Sequence, residues 1–229
     1  MISGGCRGAA AGRERPIMGA STGQPLHMSR FHGPVADCLI AKQEENAMGK
    51  IIDTKEIAMK YLELAGLSEK QIDKLKDIRY FSAPASKGHH LAETGGLVRH
   101  SVNVTRNILK LTDGFAFRWE RPESPYLVGM LHDLVKCKCY EERMDGGYGY
   151  IYPGWHGHGE ASVMIALFDM KLDLTKEEIV AIRHHMGLWD VNEGRRKDYG
   201  EAVAENPQAI IIAHTADWWA ARVDEGGTE

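Results

Sequence analysis

From Thr54 onward, apolar residues recur at three- and four-residue steps, the spacing of helices with one buried face. Ile57, Tyr61, Leu62 and Leu64 form the first such face; Asp53 or Thr54 can cap that helix and Gly66 ends it. A second helix begins at Ser68, with Ile72, Leu75 and Ile78 as its stripe, and residues 81–88 form a loop marked by Pro84 and Gly88. Leu97, Val104, Ile108 and Leu111 predict a long helix over residues 95–111. His100 stands three after Leu97 and four before Val104, so it shares the buried face. Residues 124–136 predict the next helix, with Ser124 as N-cap, Pro125 in the first turn and Leu127, Met130, Leu131 and Leu134 on the core side. His132 and Asp133 ride near its C-terminal end. Residues 141–153, rich in Gly and Tyr, read as a loop or short hairpin. Further helices are predicted over residues 158–172, 176–185 and 207–223, with Thr175 and Glu178 in a capping-box pattern. Strand signals are scarce, and the class is all-α.

Composition narrows this picture. Of 229 residues, 43% are hydrophobic and 26% charged, as in a globular chain. Residues 1–47 differ: Gly, Ala, Arg, Ser and Pro dominate without a persistent apolar period. They read as a flexible leader or an over-called start before Met48, and residues 48–229 as the folded domain. Glu14, Asp37, Glu44 and Glu45 argue against a mitochondrial presequence. The net charge of -4 disfavours a general nucleic-acid coat, though it leaves room for a local basic patch. No apolar run reaches the roughly 18 residues of a membrane span. Cys137 and Cys139 stand two apart, the wrong spacing for a zinc knuckle. With Cys6 and Cys38 they read as reduced thiols, and a cytoplasmic location fits.

The chemistry lies in an ordered run: His100, His132-Asp133, His158, His185, Asp217. Imidazole nitrogens and carboxylate oxygens converging from several helices suit a divalent ion. His100, His132, Asp133 and Asp217 make the primary set, while His158 and His185 extend it to a second ion or bind a phosphate oxygen. Metal-activated water attacking a phosphate ester or anhydride is the reaction such a set serves. Asp217, between Ala216 and Trp218 on an apolar helix, needs a partner, because an unpaired buried carboxylate costs several kcal/mol. His184 and His185 diverge by about 100° on a helix, so one of the two faces the site. Lys136 places a cation where negative charge develops. Tyr148, Tyr150 and Arg183 are candidates for the substrate side. Trp155, Trp189, Trp218 and Trp219 read first as core packing, with stacking on a nucleobase as the other reading; Trp189 is kept among the substrate-side candidates.

These residues carry a resemblance. Gly95-Gly96-Leu97-Val98-Arg99-His100-Ser101, Leu131-His132-Asp133-Leu134-Val135-Lys136, Gly157-His158-Gly159-Glu160, Ile182-Arg183-His184-His185 and Ala213-His214-Thr215-Ala216-Asp217 resemble, in order, motifs of the HD-domain metal-dependent phosphohydrolase superfamily. The resemblance is to its cytoplasmic bacterial and phage members. It implies an all-α HD-domain bundle with a metal site at its centre. One or two ions (Mn, Fe, Co, Ni, Zn or Mg) would be held by His100, His132, Asp133 and Asp217, with His158 and His185 extending the site. It favours His185 over His184 as the ligand, and implies catalytic roles for Lys136, Asp133 and His158. Lys136 matches the family lysine that faces the substrate phosphate. The paired His89-His90 sit further upstream than the family pattern places them. The expected activity is hydrolysis of a nucleoside mono- or triphosphate, by a homo-oligomer. A 3′-5′ exonuclease and a non-catalytic nucleotide-binding scaffold are the alternatives.

Overall fold

A computed structural model describes residues 53–144, 146–155, 157–190 and 195–226. The expected leader, residues 1–47, lies outside the described residues. Helix α1 (Thr54–Leu64) is capped by Asp53, whose carboxylate accepts from Lys55 N at 3.2 Å. Beyond it, Gly66 turns the chain with φ 78°. Helix α2 (Glu69–Asp77) starts at Ser68, whose N–H is taken by Gln71 Oε1 at 2.9 Å. Then follow the long α3 (Gly96–Gly114) and α4 (Ser124–Leu131). A short α5 (Lys136–Cys139) leads into the hairpin β1 (Tyr140–Glu142) and β2 (Tyr148–Tyr150), antiparallel with Tyr140 opposite Tyr150. Next come α6 (His158–Met164) with a π turn over Ile165–Asp169, α7 (Lys176–Arg183), and a 3₁₀ turn over Gly187–Asp190. Helices α8 (Arg196–Glu205) and α9 (Pro207–Trp219) follow, and α9 runs into a π turn over Ala220–Asp224.

Helix α3 is the spine, with α1, α4 and α9 packed around it, and α7 joins α4, α6 and α9. Leu97, Ile108, Met130, Leu131, Ile182 and Ile212 lie in one buried core. Two glycines set the close crossings. A Cβ on Gly129 would fall 2.4 Å from Thr105 Oγ1, so α3 and α4 touch at backbone distance; one on Gly159 would fall 2.2 Å from Arg183 O, where α6 meets the end of α7. Both crossings lie within one turn of a candidate ligand. Among the described residues, no helix is long and apolar enough to cross a membrane.

Four expectations change. The helix expected over residues 124–136 stops at Leu131, and His132–Val135 form tight turns. Leu134 N bonds Leu131 O and Lys136 N bonds Asp133 O, three residues back, while Val135 N donates to Ser162 Oγ at 3.1 Å. The diversion ends the regular ladder. Ser124 is the first helical residue rather than the cap; its hydroxyl donates to Glu178 Oε1 instead. Helix α8 was not foreseen, because none of its residues is buried and no apolar stripe marks it. The tryptophans are not core: Trp155, Trp189, Trp218 and Trp219 are all exposed. Ala161, Ala181, Ala209 and Ala213 are buried on their helices.

Candidate metal centre

His100 comes from the second turn of α3, His132 and Asp133 from the tight turns after α4, and Asp217 from α9. Their ligand atoms lie within 4.8 Å of one another. His100 Nε2 is 3.0 Å from Asp217 Oδ1 and 3.3 Å from His132 Nε2; His132 Nε2 is 3.2 Å from Asp133 Oδ2. On a regular helix neighbouring side chains diverge by about 100°. Here the two side chains nonetheless meet, His132 Nε2 and Asp133 Oδ2 lying 3.2 Å apart.

Three rings are oriented alike. His132 Nδ1 donates to Gly129 O at 2.9 Å and His185 Nδ1 to Ile182 O at 2.7 Å. His100 Nδ1 lies 3.1 Å from both oxygens of Glu225. With each Nδ1 committed, each Nε2 is turned to the centre. His185 follows the end of α7, and its Nε2 faces Asp133 Oδ1 at 3.5 Å. Neither atom has a hydrogen-bond partner among the described residues, and both are buried. Buried polar atoms are almost always satisfied. An orphaned imidazole nitrogen opposite an orphaned carboxylate oxygen stands beside His100, His132 and Asp217, which with Asp133 form a group that could hold a divalent ion.

The charges reinforce one another. Burial opposes the charged ring of His132, but Asp133 and Asp217 outweigh it and raise its pKa to about 10. His100 is raised too, burial being overcome by Asp217 and Glu225. Burial would raise Asp133, yet Lys136 and His132 hold it well below the carboxylate range; His100 and His132 do the same for Asp217. Lys136 Nζ sits 2.6 Å from Asp133 Oδ2 with its side chain 9% exposed. Burial works against its charge, and Asp133 and Asp217 more than restore it.

The HD domain family model matches residues 97–222, more than half of the chain. The protein belongs to the HD domain family. HD domains are a superfamily of metal-dependent phosphohydrolases, and the clustered His-Asp set fits the divalent ions they bind. No curated protein and no solved structure matches the chain significantly.

The other candidates of this HD domain spread outward. His158, the first residue of α6, is half-buried; burial lowers its pKa, and the charges of Asp133, Lys136, Asp190 and His185 act on it. It lies outside the group of four. Arg183 ends α7 and reaches Glu160 at 3.4 Å, lining a polar pocket with Gly157, His184, Asp190, Asp198 and Tyr199. His184 belongs to that pocket; burial and Arg183 lower its pKa to about 4, so its ring is neutral. Tyr148 is half-buried, its hydroxyl 3.3 Å from Thr94. Tyr150 is exposed on β2, and Trp189 stands on the 3₁₀ turn with 79% of its surface in solvent. Cys137 and Cys139 are buried thiols, Cys139 with its pKa pushed up to about 12 by burial. His214 Nδ1 donates to His185 O at 2.6 Å and supports that turn.

Two residues were missed. Glu225 holds His100, and Tyr140 at the start of β1 has its pKa raised by burial against the opposing charge of Lys136. No sequence pattern marks Glu225, a carboxylate in a polar, Gly-rich tail. His90 was noticed but its role left undecided; its ring stacks edge-on against His100 at 5.0 Å.

Proposed function

We propose that this protein is a metal-dependent phosphohydrolase that cleaves a nucleotide phosphate ester or anhydride, in a nucleoside mono- or triphosphate. One observation carries the reading: the orphaned pair Asp133 Oδ1 and His185 Nε2, buried beside His100, His132 and Asp217. His100, His132, Asp133 and Asp217 would hold one ion, and His185 with Asp133 Oδ1 would hold a second. A bound divalent ion lowers the pKa of water to about 7 and so supplies hydroxide at neutral pH.

The chain's own groups do the rest. Asp133 offers one oxygen to each side of the site, Oδ2 toward His132 and Oδ1 toward His185. Lys136, fixed against Oδ2, gives a permanent cation for a phosphate that gathers charge as its bond to the leaving group breaks. His158, kept neutral by burial, can accept a proton as water attacks. The neighbouring polar pocket, with Arg183, His184 and Tyr199, suits the part of a substrate beyond the phosphate.

The test is a panel of nucleoside mono-, di- and triphosphates, incubated with Mn, Co, Ni, Mg or Zn and scored by product. Release of phosphate or triphosphate that chelator abolishes supports the reading. Tight nucleotide binding without turnover in every metal, or shortening of single strands instead, would replace it.

A further inference from the structure

The family match ends at residue 222 and begins at residue 97. Two side chains from beyond those limits meet behind His100. Glu225 accepts from His100 Nδ1 at 3.1 Å, and its Oε2 lies 2.6 Å from His90 Nδ1. Asn103, one turn beyond His100 on α3, donates to Glu225 Oε1 at 3.0 Å. Asn107, a turn further, donates to Asp224 Oδ2 at 2.7 Å. One face of α3 therefore presents His100, Asn103 and Asn107 in succession, and the last two pin the chain that follows α9. The π turn over Ala220–Asp224 brings it there, closed by Glu225 N on Ala220 O at 3.0 Å. The Glu225 side chain is 1% exposed. A carboxylate so buried needs partners, and His90, His100 and Asn103 supply them.

We propose that Glu225 is a positioning residue: it holds the proton of His100 on Nδ1 and fixes the ring so that Nε2 faces the ion. This rests on the metal-centre reading above. His132 and His185 have backbone carbonyls in the same role, Gly129 O and Ile182 O. At His100 that role falls to a charged group, which raises the basicity of the opposite nitrogen more than a carbonyl does. The carboxylate arrives only when the tail docks on Asn103 and Asn107, so the strength of the ligand is tied to the seating of the tail. His90, His100 and Glu225 also bring ligand atoms within 4.8 Å of one another. An ion there would have to take His100 through its second nitrogen and displace the proton that Glu225 accepts. The hydrogen-bonded arrangement needs no such displacement and is the one argued.

The test compares wild type with Glu225→Ala, Glu225→Gln, Asn107→Ala and His100→Ala in the full chain. Zn²⁺ affinity and stoichiometry are read by calorimetry, and thermal melts of the metal-free proteins check folding. Proton-nitrogen correlation spectra of the Zn²⁺-loaded, histidine-labelled protein show whether Nδ1 of His100 keeps its proton while Nε2 is bound. Glu225→Ala is expected to weaken Zn²⁺ binding about 10–100-fold at unchanged stoichiometry. Glu225→Gln keeps an acceptor without the charge, and is expected to lose about threefold and leave the proton on Nδ1. Asn107→Ala, remote from the ligands, should fall between wild type and Glu225→Ala. Should Glu225→Ala fail to fold, Gln and Asn107→Ala decide the matter alone. Affinities within twofold of wild type in every folded variant overturn the proposal, provided His100→Ala abolishes binding. A stoichiometry lowered by one ion in Glu225→Gln makes Glu225 a ligand and overturns it too. If His100→Ala leaves binding intact, the fault lies in the metal-centre reading, and the proposal falls with it.

Discussion

Two buried charged clusters in this HD domain differ in how they are satisfied. Glu178 on α7 is fully enclosed, and both of its oxygens are used. Arg121 Nε and a terminal nitrogen reach Oε1 and Oε2 at 2.7 and 2.6 Å, Ser124 donates to Oε1 at 2.7 Å, and Thr175 N donates to Oε2 at 2.9 Å. The His-Asp centre is as deeply enclosed, yet Asp133 Oδ1 and His185 Nε2 are left orphaned. One cluster pins the entry of α4 to α7 and needs nothing further. The other is incomplete as a hydrogen-bond network and includes a group that could hold a metal. Burial and charge alone do not separate the two clusters; the difference lies in a facing imidazole nitrogen and carboxylate oxygen whose hydrogen-bonding capacity is unmet.

The largest effect should come from Asp133→Ala. It removes the carboxylate shared by both halves of the centre, and is expected to abolish ion binding and bring phosphate release to the uncatalysed background. Metal analysis of the purified variant, with a phosphate assay, checks both. Lys136→Ala should keep its ion and lose about 10²–10³-fold in kcat, as when one preorganised charge donor is removed. An equal loss of metal affinity would instead make Lys136 a structural counter-ion of Asp133.

Glu178→Ala should invert the pattern. Breaking a buried ion pair costs about 3 kcal/mol here, at the lower end of the range because Arg121 keeps 32% of its side chain in solvent. Denaturant melts read that loss. Saturating metal at 100 times its Kd should still add about 2.7 kcal/mol per bound ion to this variant, as to wild type, and nothing to Asp133→Ala. Loss of the metal increment in Glu178→Ala would show that the two clusters are one cooperative unit.

The smallest effect is in pH. The pKa of His132 is raised to about 10 in the folded protein, so its charged ring stabilises the metal-free fold fully below the unfolded value of about 6.5. That contribution is lost as pH rises from about 6.5 to about 10. Asp133 and Asp217 are held below the usual carboxylate range, so their contribution is present above about pH 4 and lost as pH falls through the lower folded values. The metal-free protein should therefore melt lower at pH 9 than at pH 7, and Asp133→Ala should show a shallower decline. Metal affinity runs the other way and rises over that interval, because the ion displaces the His132 proton.

The sequence by itself determined the helical class and the identity of the four residues that cluster. The three- and four-residue spacing of Leu97, Val104, Ile108 and Leu111 is local physics, and so is the Thr175–Glu178 cap, which stands as read. His100, His132, Asp133 and Asp217 were legible as an ordered run of imidazoles and carboxylates that resembles the HD motifs, and for Asp217 also because an unpaired carboxylate on an apolar helix is costly. What only the tertiary structure decided depends on partners distant in the chain. Val135 N donates to Ser162, 27 residues on, where the regular helix has ended. Glu178 looked like an ordinary capping residue until Arg121, 57 residues back, closed on it. Glu225 had no apolar stripe or motif to betray it. Its role exists only because the turn after α9 returns the tail to α3, and a contact across 125 residues leaves no period in the sequence.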